Sequence, residues 1–303
     1  MTAETTAIGV DWGTSSFRAF RFAADGEMLE GRRAQAGILA IDAGEFEDAF
    51  EELIGDWLDA APDVPVVLSG MIGSRQGWLE TPYLPCPAAV DDIAGALVPL
   101  TLARGRVIRL APGLSVRADD GIPDVMRGEE VQILGAVDLI GSATATVCLP
   151  GTHSKWARVE SRRVTSFSTH MTGEVFDVLR RHSILGRGIE HAAWDEEAFL
   201  EGVTRSGAEG GLLHHLFGVR AAGLFGDLAP EGAGAFLSGL VIGHEIRAAA
   251  PVDTVYLVGE EELVRLYREA LRVLGHQGEA VAAHAAACGL FLIADSLGRG
   301  GGR

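Results

Sequence analysis

The sequence predicts an α/β protein with mixed sheets, built from two related halves. Two observations carry that expectation. Short apolar strands alternate along the chain with segments of amphipathic helical spacing. An apolar strand that empties into a Gly-Thr turn and continues as a second strand occurs twice, once in Ile8–Arg18 and once in Val147–Trp156. The halves join near residue 142, where no Ser/Pro/Gly-rich linker marks a hard boundary.

The elements follow in order. Ala7–Val10 is a strand, DWGTSS a turn, and Phe17–Phe22 a second strand; after a turn at Ala24–Gly26 comes a third at Met28–Arg33. Phe46, Phe50, Leu53, Ile54, Trp57 and Leu58 recur at helical spacing within Glu45–Ala60. Val64–Leu68 is a buried strand ending in the loop SGMIGSRQGW, and Pro82, Pro85 and Pro87 mark an irregular segment. Val107–Ala111 is a strand stopped by Pro112-Gly113. Gly128–Leu139 is a helix opened by DVMRGEE. Ala143–Leu149 is a continuous apolar strand running into PGTHSKW, with a hairpin at Arg158–Glu160 and Val164–Phe167. Helices are expected over Gly173–His182, Asp195–Ser206, Gly211–Ala222 and Gly232–Ala249. A strand at Thr254–Val258, a helix at Glu260–Leu274 and an apolar helix at Ala280–Asp295 complete the chain, before a flexible GRGGGR tail.

Composition narrows the function. The 303 residues are 48% hydrophobic and 22% charged, which suits globular cores and excludes a disordered or fibrous chain. Against 42 acidic residues stand 25 basic ones, a net charge of −17 that repels nucleic acid and anionic membrane. Of those 25, one is Lys155 and the remaining 24 are Arg. Cys86, Cys148 and Cys288 are odd in number and widely spaced, so neither a disulfide framework nor a zinc site is expected. No signal peptide and no apolar run of spanning length occurs, which points to a cytoplasmic protein without membrane partners.

The chemistry gathers in a few loops. In the first, a strand delivers Asp11 to a turn of Gly13, Thr14, Ser15 and Ser16. Such a turn can aim N–H groups and hydroxyls at phosphate, with Asp11 in reach of Mg²⁺. An ordinary hairpin capped by Asp and Ser would look the same on its own. In the second, Gly151, Thr152, His153, Ser154 and Lys155 repeat the arrangement, and the single lysine could place a charge on a phosphate or a carboxylate. Two matching turns make coincidence harder to maintain. Between them, Asp124, Glu129 and Glu130 of DVMRGEE offer a general base, or merely acidic residues at a helix start. Glu174 in MTGE is a helix cap or a substrate contact. Neither GxxxxGK[ST], GxGxxG after a strand, nor HExxH is present.

VDWGTSSFRAF, SGMIGSRQGW, DVMRGEEVQ, PGTHSKW and MTGE stand in the order seen in 2-dehydro-3-deoxygalactonokinases, and the sequence resembles that family over nearly its whole length. The resemblance implies the two-lobed ribonuclease-H-like fold of actin-like ATPases, with mixed five-stranded sheets and a central cleft. It implies a lobe of residues 1–142, a lobe of residues 143–279, and a last helix, 280–297, packing back on the first. ATP and Mg²⁺ would be the cofactors. Residues Asp11 to Ser16 and Gly151 to Lys155 would be the phosphate loops, and Gly259 would lie in the adenosine-side turn. The second loop departs from many relatives in the wider superfamily, which carry Asp where His153 and Ser154 stand. By position Asp124 or Glu129 is the implied base, with Glu129 preferred.

The implied reaction moves the γ-phosphate of MgATP to the terminal hydroxyl of a 2-keto-3-deoxy sugar acid. The small-molecule acid needs a cation, for which Arg18, Arg75, Arg127 and Lys155 are candidates. The alternatives are a same-fold kinase for another acid, such as 2-keto-3-deoxygluconate, or a nucleotide-binding regulator without turnover. A homodimer is left open.

Overall fold

The computed structural model describes residues 4–117, 121–186 and 194–300. The chain divides into two compact units. The first comprises Met1–Thr144, Arg158–Phe167 and Ala282–Arg303, and the second Ala145–Ala157 and Ser168–Val281.

The first unit opens with β1 (Ala7–Trp12), β2 (Phe17–Phe22) and β3 (Met28–Ala34), an antiparallel meander, followed by helix α1 (Phe46–Ala60). Then come β4 (Val66–Ser69), β5 (Tyr83–Pro85), α2 (Val90–Gly95), β6 (Val98–Thr101), β7 (Val107–Leu110), β8 (Gly113–Arg117), β9 (Pro123–Met126) and α3 (Glu129–Leu139). The main sheet has the order β3-β2-β1-β4-β7-β6, and β1, β4 and β7 run parallel. β1 and β4 are buried along their whole length, so both faces of the sheet centre are covered and the strands are apolar up to the polar residues at their ends, Asp11 and Ser69. On one face the apolar stripe of α1 packs Phe46, Phe50, Ile54 and Trp57 against Trp12, Phe17 and Leu68.

The second unit is built on β10 (Ala145–Leu149), β11 (Ser154–Glu160) and β12 (Arg163–His170), with Arg158–Phe167, the end of β11 and the start of β12, assigned to the first unit. Helices α4 (Thr172–His182), α5 (Glu196–Arg205), α6 (Gly211–Phe225) and α7 (Ala233–Ala249) follow. Next are β13 (Val255–Leu257), α8 (Glu261–Val273) and β14 (Gly278–Ala280). The sheet order is β12-β11-β10-β13-β14, with β10, β13 and β14 parallel. The core of this unit joins α5, α7 and α8 around Phe199, Leu240, Ile246 and Leu271. The final helix, α9 (Ala285–Gly300), belongs to the first unit. There its Leu290 lies against Gly9 of β1, and its Gly289 approaches the Val131 carbonyl of α3.

Three expectations about the elements need correction. The first sheet has six strands rather than five, because Val98–Thr101 pairs antiparallel with β7 at its edge. The proline-marked stretch is partly regular: β5, β8 and β9 form a separate three-stranded sheet. The last helix starts at Ala285 and not near 280, because the sheet takes that backbone first: β14 pairs with β13 and the Val281 N–H donates to Leu257 O at 2.9 Å. No helix among the described residues is long and apolar enough to cross a membrane.

Candidate active site

In the first unit, β1 carries Asp11 to the end of the sheet beside the turn of Gly13, Thr14, Ser15 and Ser16. Trp12 anchors that end. Its ring meets Phe17 edge-on at 5.0 Å, and its Nε1–H donates to Ala36 O at 2.7 Å. The Gly13 N–H closes the turn onto Ser16 O at 2.9 Å, and the N–H groups of Ile38 and Leu39 brace it by donating to Gly13 O at 3.0 Å and Thr14 O at 3.2 Å. Thr14 and Ser15 remain exposed, so their hydroxyls can meet a ligand. Arg18, opposite Asp11 in the β1–β2 register, forms an ion pair with its carboxylate. Burial pushes the Asp11 carboxyl up; the Arg18 cation opposes that rise and the nearby Glu129 carboxylate adds to it.

Two glycines bring Glu129 close to Asp11. Gly70, just after β4, has φ 95°, and Gly128, just before α3, has φ 100°. A Cβ on Gly70 would lie 2.7 Å from Trp12 O and 3.2 Å from Asp11 Oδ1; one on Gly128 would lie 2.9 Å from Gly70 Cα. Any side chain at either position would force the strand ends and the helix start apart.

The acidic segment does not form a single helix start. Asp124 lies in β9 opposite Val116, and its Oδ1 accepts from the Val125 N–H at 2.7 Å. The ladder with β8 holds this stretch extended, and the left-handed Gly128 separates it from the helix that begins at Glu129. Glu129 Oε2 accepts from the Arg127 N–H at 3.0 Å, and Glu130 Oε2 accepts from the Gly128 N–H at 2.7 Å.

Glu130 is fully buried and its Oε1 has no hydrogen-bond partner. Burial, with help from Glu129, pushes its pKa up to about 8. The folded value exceeds the ordinary 4.5, so the stability linked to this proton is complete below pH 4.5 and is lost as pH rises through about 8. Denaturation midpoints of the wild type should therefore fall more steeply between about pH 5 and pH 8 than those of Glu130→Gln, which has no proton to lose. Parallel slopes for the two proteins would contradict this.

Arg127 is buried beneath the same region. Its Nη1 donates to Thr81 Oγ1, its Nη2 donates to Thr81 O at 2.9 Å, and its guanidinium lies 4.3 Å from the Tyr83 ring centre. Arg75, by contrast, has an 86% exposed side chain whose Nε donates to Glu80 Oε1 at 2.9 Å. Arg75, Glu80, Tyr83 and Arg127 line one pocket of about 380 Å³.

In the second unit the turn after β10 and the first residues of β11 hold the other candidate residues. Thr152 and His153 are exposed, whereas Ser154 and Lys155 are buried. The Lys155 Nζ donates to His153 O at 3.2 Å, so the only lysine of the chain, at the start of β11, is buried and turned back on the preceding turn rather than solvated. His153 Nε2 pairs with Glu174 Oε2, and the Glu174 N–H donates to Thr152 O at 3.0 Å, which ties MTGE to PGTHSKW. Gly259, after β13, packs near Pro150, the residue before Gly151: a Cβ there would lie 3.4 Å from Pro150 O.

A support that the sequence did not disclose lies under this turn. Ser154 Oγ is 2.9 Å from Tyr267 OH, which donates to Glu245 Oε2 at 2.6 Å, while Trp156 Nε1–H donates to Glu245 Oε1 at 2.7 Å. The available signal was Glu245 itself, a carboxylate inside the apolar run of α7.

Each turn, within its own unit, can present N–H groups and hydroxyls to phosphate oxygens. No group of three or more His, Cys, Asp or Glu that could hold a metal occurs among the described residues. Mg²⁺ does not require one, since it keeps several waters and takes one or two carboxylates plus phosphate oxygens. Asp11 with the hydroxyls of its turn fits that sparse donor set.

Comparison with known proteins gives a consistent picture. The family described as 2-keto-3-deoxy-galactonokinase matches residues 11–293. DgoK1 of Rhizobium meliloti (strain 1021), a candidate 2-dehydro-3-deoxygalactonokinase, is 42% identical over 289 residues, covering 93% of this chain and 94% of that protein. The 2-dehydro-3-deoxygalactonokinase of Escherichia coli (strain K12) is 36% identical over 279 residues, covering 91% and 92%. The crystal structure of a candidate 2-dehydro-3-deoxygalactonokinase from Sinorhizobium meliloti superposes with a TM-score of 0.86 at 40% identity, covering 96% of this chain and 99% of that one. A more distant structure, the activator of the 2-hydroxyisocaproyl-CoA dehydratase from Clostridium difficile with bound ADPNP, reaches 0.53 at 14% identity over 97% and 96%. That likeness shows a shared fold, the ribonuclease-H-like α/β arrangement with mixed sheets.

Proposed function

The chain belongs to the 2-keto-3-deoxy-galactonokinase family, and on that premise we propose that it uses MgATP to phosphorylate the terminal hydroxyl of 2-dehydro-3-deoxy-D-galactonate. The enzyme is a phosphotransferase with an alcohol acceptor. The observation that carries the mechanism is the convergence of the Asp11 strand end with the Glu129 helix start across Gly70 and Gly128.

Phosphoryl transfer demands mainly positioning and charge neutralisation. Glu129, held by the Arg127 N–H, accepts the proton of the terminal hydroxyl as the oxygen attacks the γ-phosphorus and ADP departs. Asp11, oriented by Arg18, would hold Mg²⁺, which when bound would neutralise phosphate charge. Thr14, Ser15 and Ser16 are the phosphate-binding candidates of the first turn, and Thr152, His153, Ser154 and Lys155 those of the second. Gly259 lies on the nucleoside side, and Glu174 positions His153. Residues 1–142 with the last helix, and residues 143–279, are taken as the two lobes of the kinase, and the dependence on ATP suits a cytoplasmic location.

ADP release from MgATP, followed with a coupled assay, should require 2-dehydro-3-deoxygalactonate and yield the 6-phosphate. Tight ATP binding without acceptor-dependent ADP release would reject the kinase and favour a regulatory nucleotide binder. Faster turnover of the gluconate epimer would move the assignment to the other acid.

A further inference from the structure

A sugar-acid kinase must recognise a carboxylate, and the first unit offers three candidate arginines, Arg18 beside Asp11, Arg127 beside Glu129, and Arg75 in a pocket that Arg127 also lines. Two of them are already committed. Arg18 is ion-paired with Asp11, and both terminal nitrogens of Arg127 donate to Thr81 while its face stacks on Tyr83. Arg75 differs. Its ion pair is with Glu80, whose own side chain is 57% exposed, and solvent-exposed pairs of this kind are weak and easily exchanged.

The setting of that pair is a pocket. Its volume, about 380 Å³, lies in the range of small-molecule sites. Arg75 and Glu80 belong to its lining, with Tyr83 and Arg127 as a stacked wall and Gln76 and Ser74 beside them. Two buried polar atoms in this lining lack partners, Ser74 Oγ and Arg127 Nε, so the polar groups are not satisfied by the protein alone. The pocket also continues into the candidate chemistry. Met71 of its lining follows Gly70, which packs on Asp11, and the backbone N–H of Arg127 holds Glu129.

We propose that this pocket is the sugar-acid subsite, that Arg75 is its carboxylate clamp, and that Glu80 is the competing anion an incoming carboxylate must displace. The proposal rests on the kinase reading above and adds to it the residues that select an acid. A sugar acid whose carboxylate pairs with Arg75 extends along the Tyr83–Arg127 wall, which leads at Glu129 to the opposite end of the ligand. A neutral ligand cannot take the guanidinium from Glu80 and leaves that pair intact. Glu80 thus acts as a charge filter at the rim: only an anion exchanges with it without leaving Arg75 unpaired.

The test compares Arg75→Ala, Arg75→Lys and Glu80→Gln by coupled ADP release, using the acid and its neutral carboxamide as acceptors. Arg75→Ala should raise KM for the acid by about 10- to 100-fold, the range expected for a lost charge-assisted hydrogen bond. Arg75→Lys should recover part of that loss, since a point charge replaces a bidentate fork. Glu80→Gln should shift KM the opposite way, lowering it up to about fivefold. The carboxamide KM should not respond to Arg75→Ala. A structural role for the Arg75–Glu80 pair would instead move both variants, and both acceptors, in the same direction, and that result would overturn the proposal. Wild-type protein that fails to phosphorylate the acid would overturn the kinase reading and this proposal together. Wild-type turnover with an unchanged KM in Arg75→Ala would overturn this proposal alone.

Discussion

Glu129→Gln is expected to lower kcat for the sugar acid by about 10²- to 10⁴-fold, the range supplied by a positioned general base. The substitution keeps the side chain's size and one carbonyl oxygen, so the Arg127 N–H retains its acceptor and α3 its first turn. What disappears is the capacity to take a proton. Asp124→Asn is the informative companion, because Asp124 sits in β9 with its carboxylate accepting a neighbouring N–H, and the loss there should stay below about tenfold. A large loss in Asp124→Asn alongside full activity in Glu129→Gln would move the base to β9.

Glu245→Ala should be the most destabilising single change in the second unit, at about 3–5 kcal/mol. The carboxylate accepts from Trp156 Nε1–H and Tyr267 OH, all three residues being buried. Truncation strands two buried donors, at about 1–3 kcal/mol each, and opens a cavity between α7 and α8. Burial and the Glu245 carboxylate push the Tyr267 phenol up, so it stays a neutral donor throughout the working pH range. Glu245→Gln keeps an acceptor for one donor and should cost clearly less. Denaturant unfolding followed by tryptophan fluorescence reports on Trp156 within the network, and equal midpoints for Glu245→Ala and wild type would refute the argument. The same network holds Ser154 through Tyr267, so KM for ATP should rise in whatever Glu245→Ala protein remains folded.

The two turns were legible in the sequence because each is local. An apolar strand, a Gly-Thr turn and a returning strand lie within about a dozen consecutive residues, and strand alternation with turn residues encodes such a unit directly. Asp11 and Lys155 were visible for that reason. Lys155 was legible as a candidate but not as a buried side chain, since its 4% exposure depends on what the fold lays over it. The acidic segment was legible as a cluster, yet its division between strand and helix was not. Asp124 is held extended by β8, a strand whose pairing no local pattern announces, and the break comes from the left-handed Gly128.

By itself, the amino-acid sequence determined the α/β class, the repeated strand-turn-strand unit, the family, and the residue types able to bind phosphate and accept a proton. Each of these depends on periodicity, on turn chemistry, or on an ordered set of short motifs, all properties of neighbours along the chain. The tertiary structure alone decided that Glu129 rather than Asp124 stands near Asp11, that Gly70 and Gly128 permit this approach, that Glu245 and Tyr267 underpin Ser154, and that Arg75, unlike Arg18 and Arg127, pairs with an exposed carboxylate. Those outcomes join residues far apart in the sequence. They are set by burial and by which hydrogen-bond partners remain once the strands have paired, and neither is a property of any segment read alone.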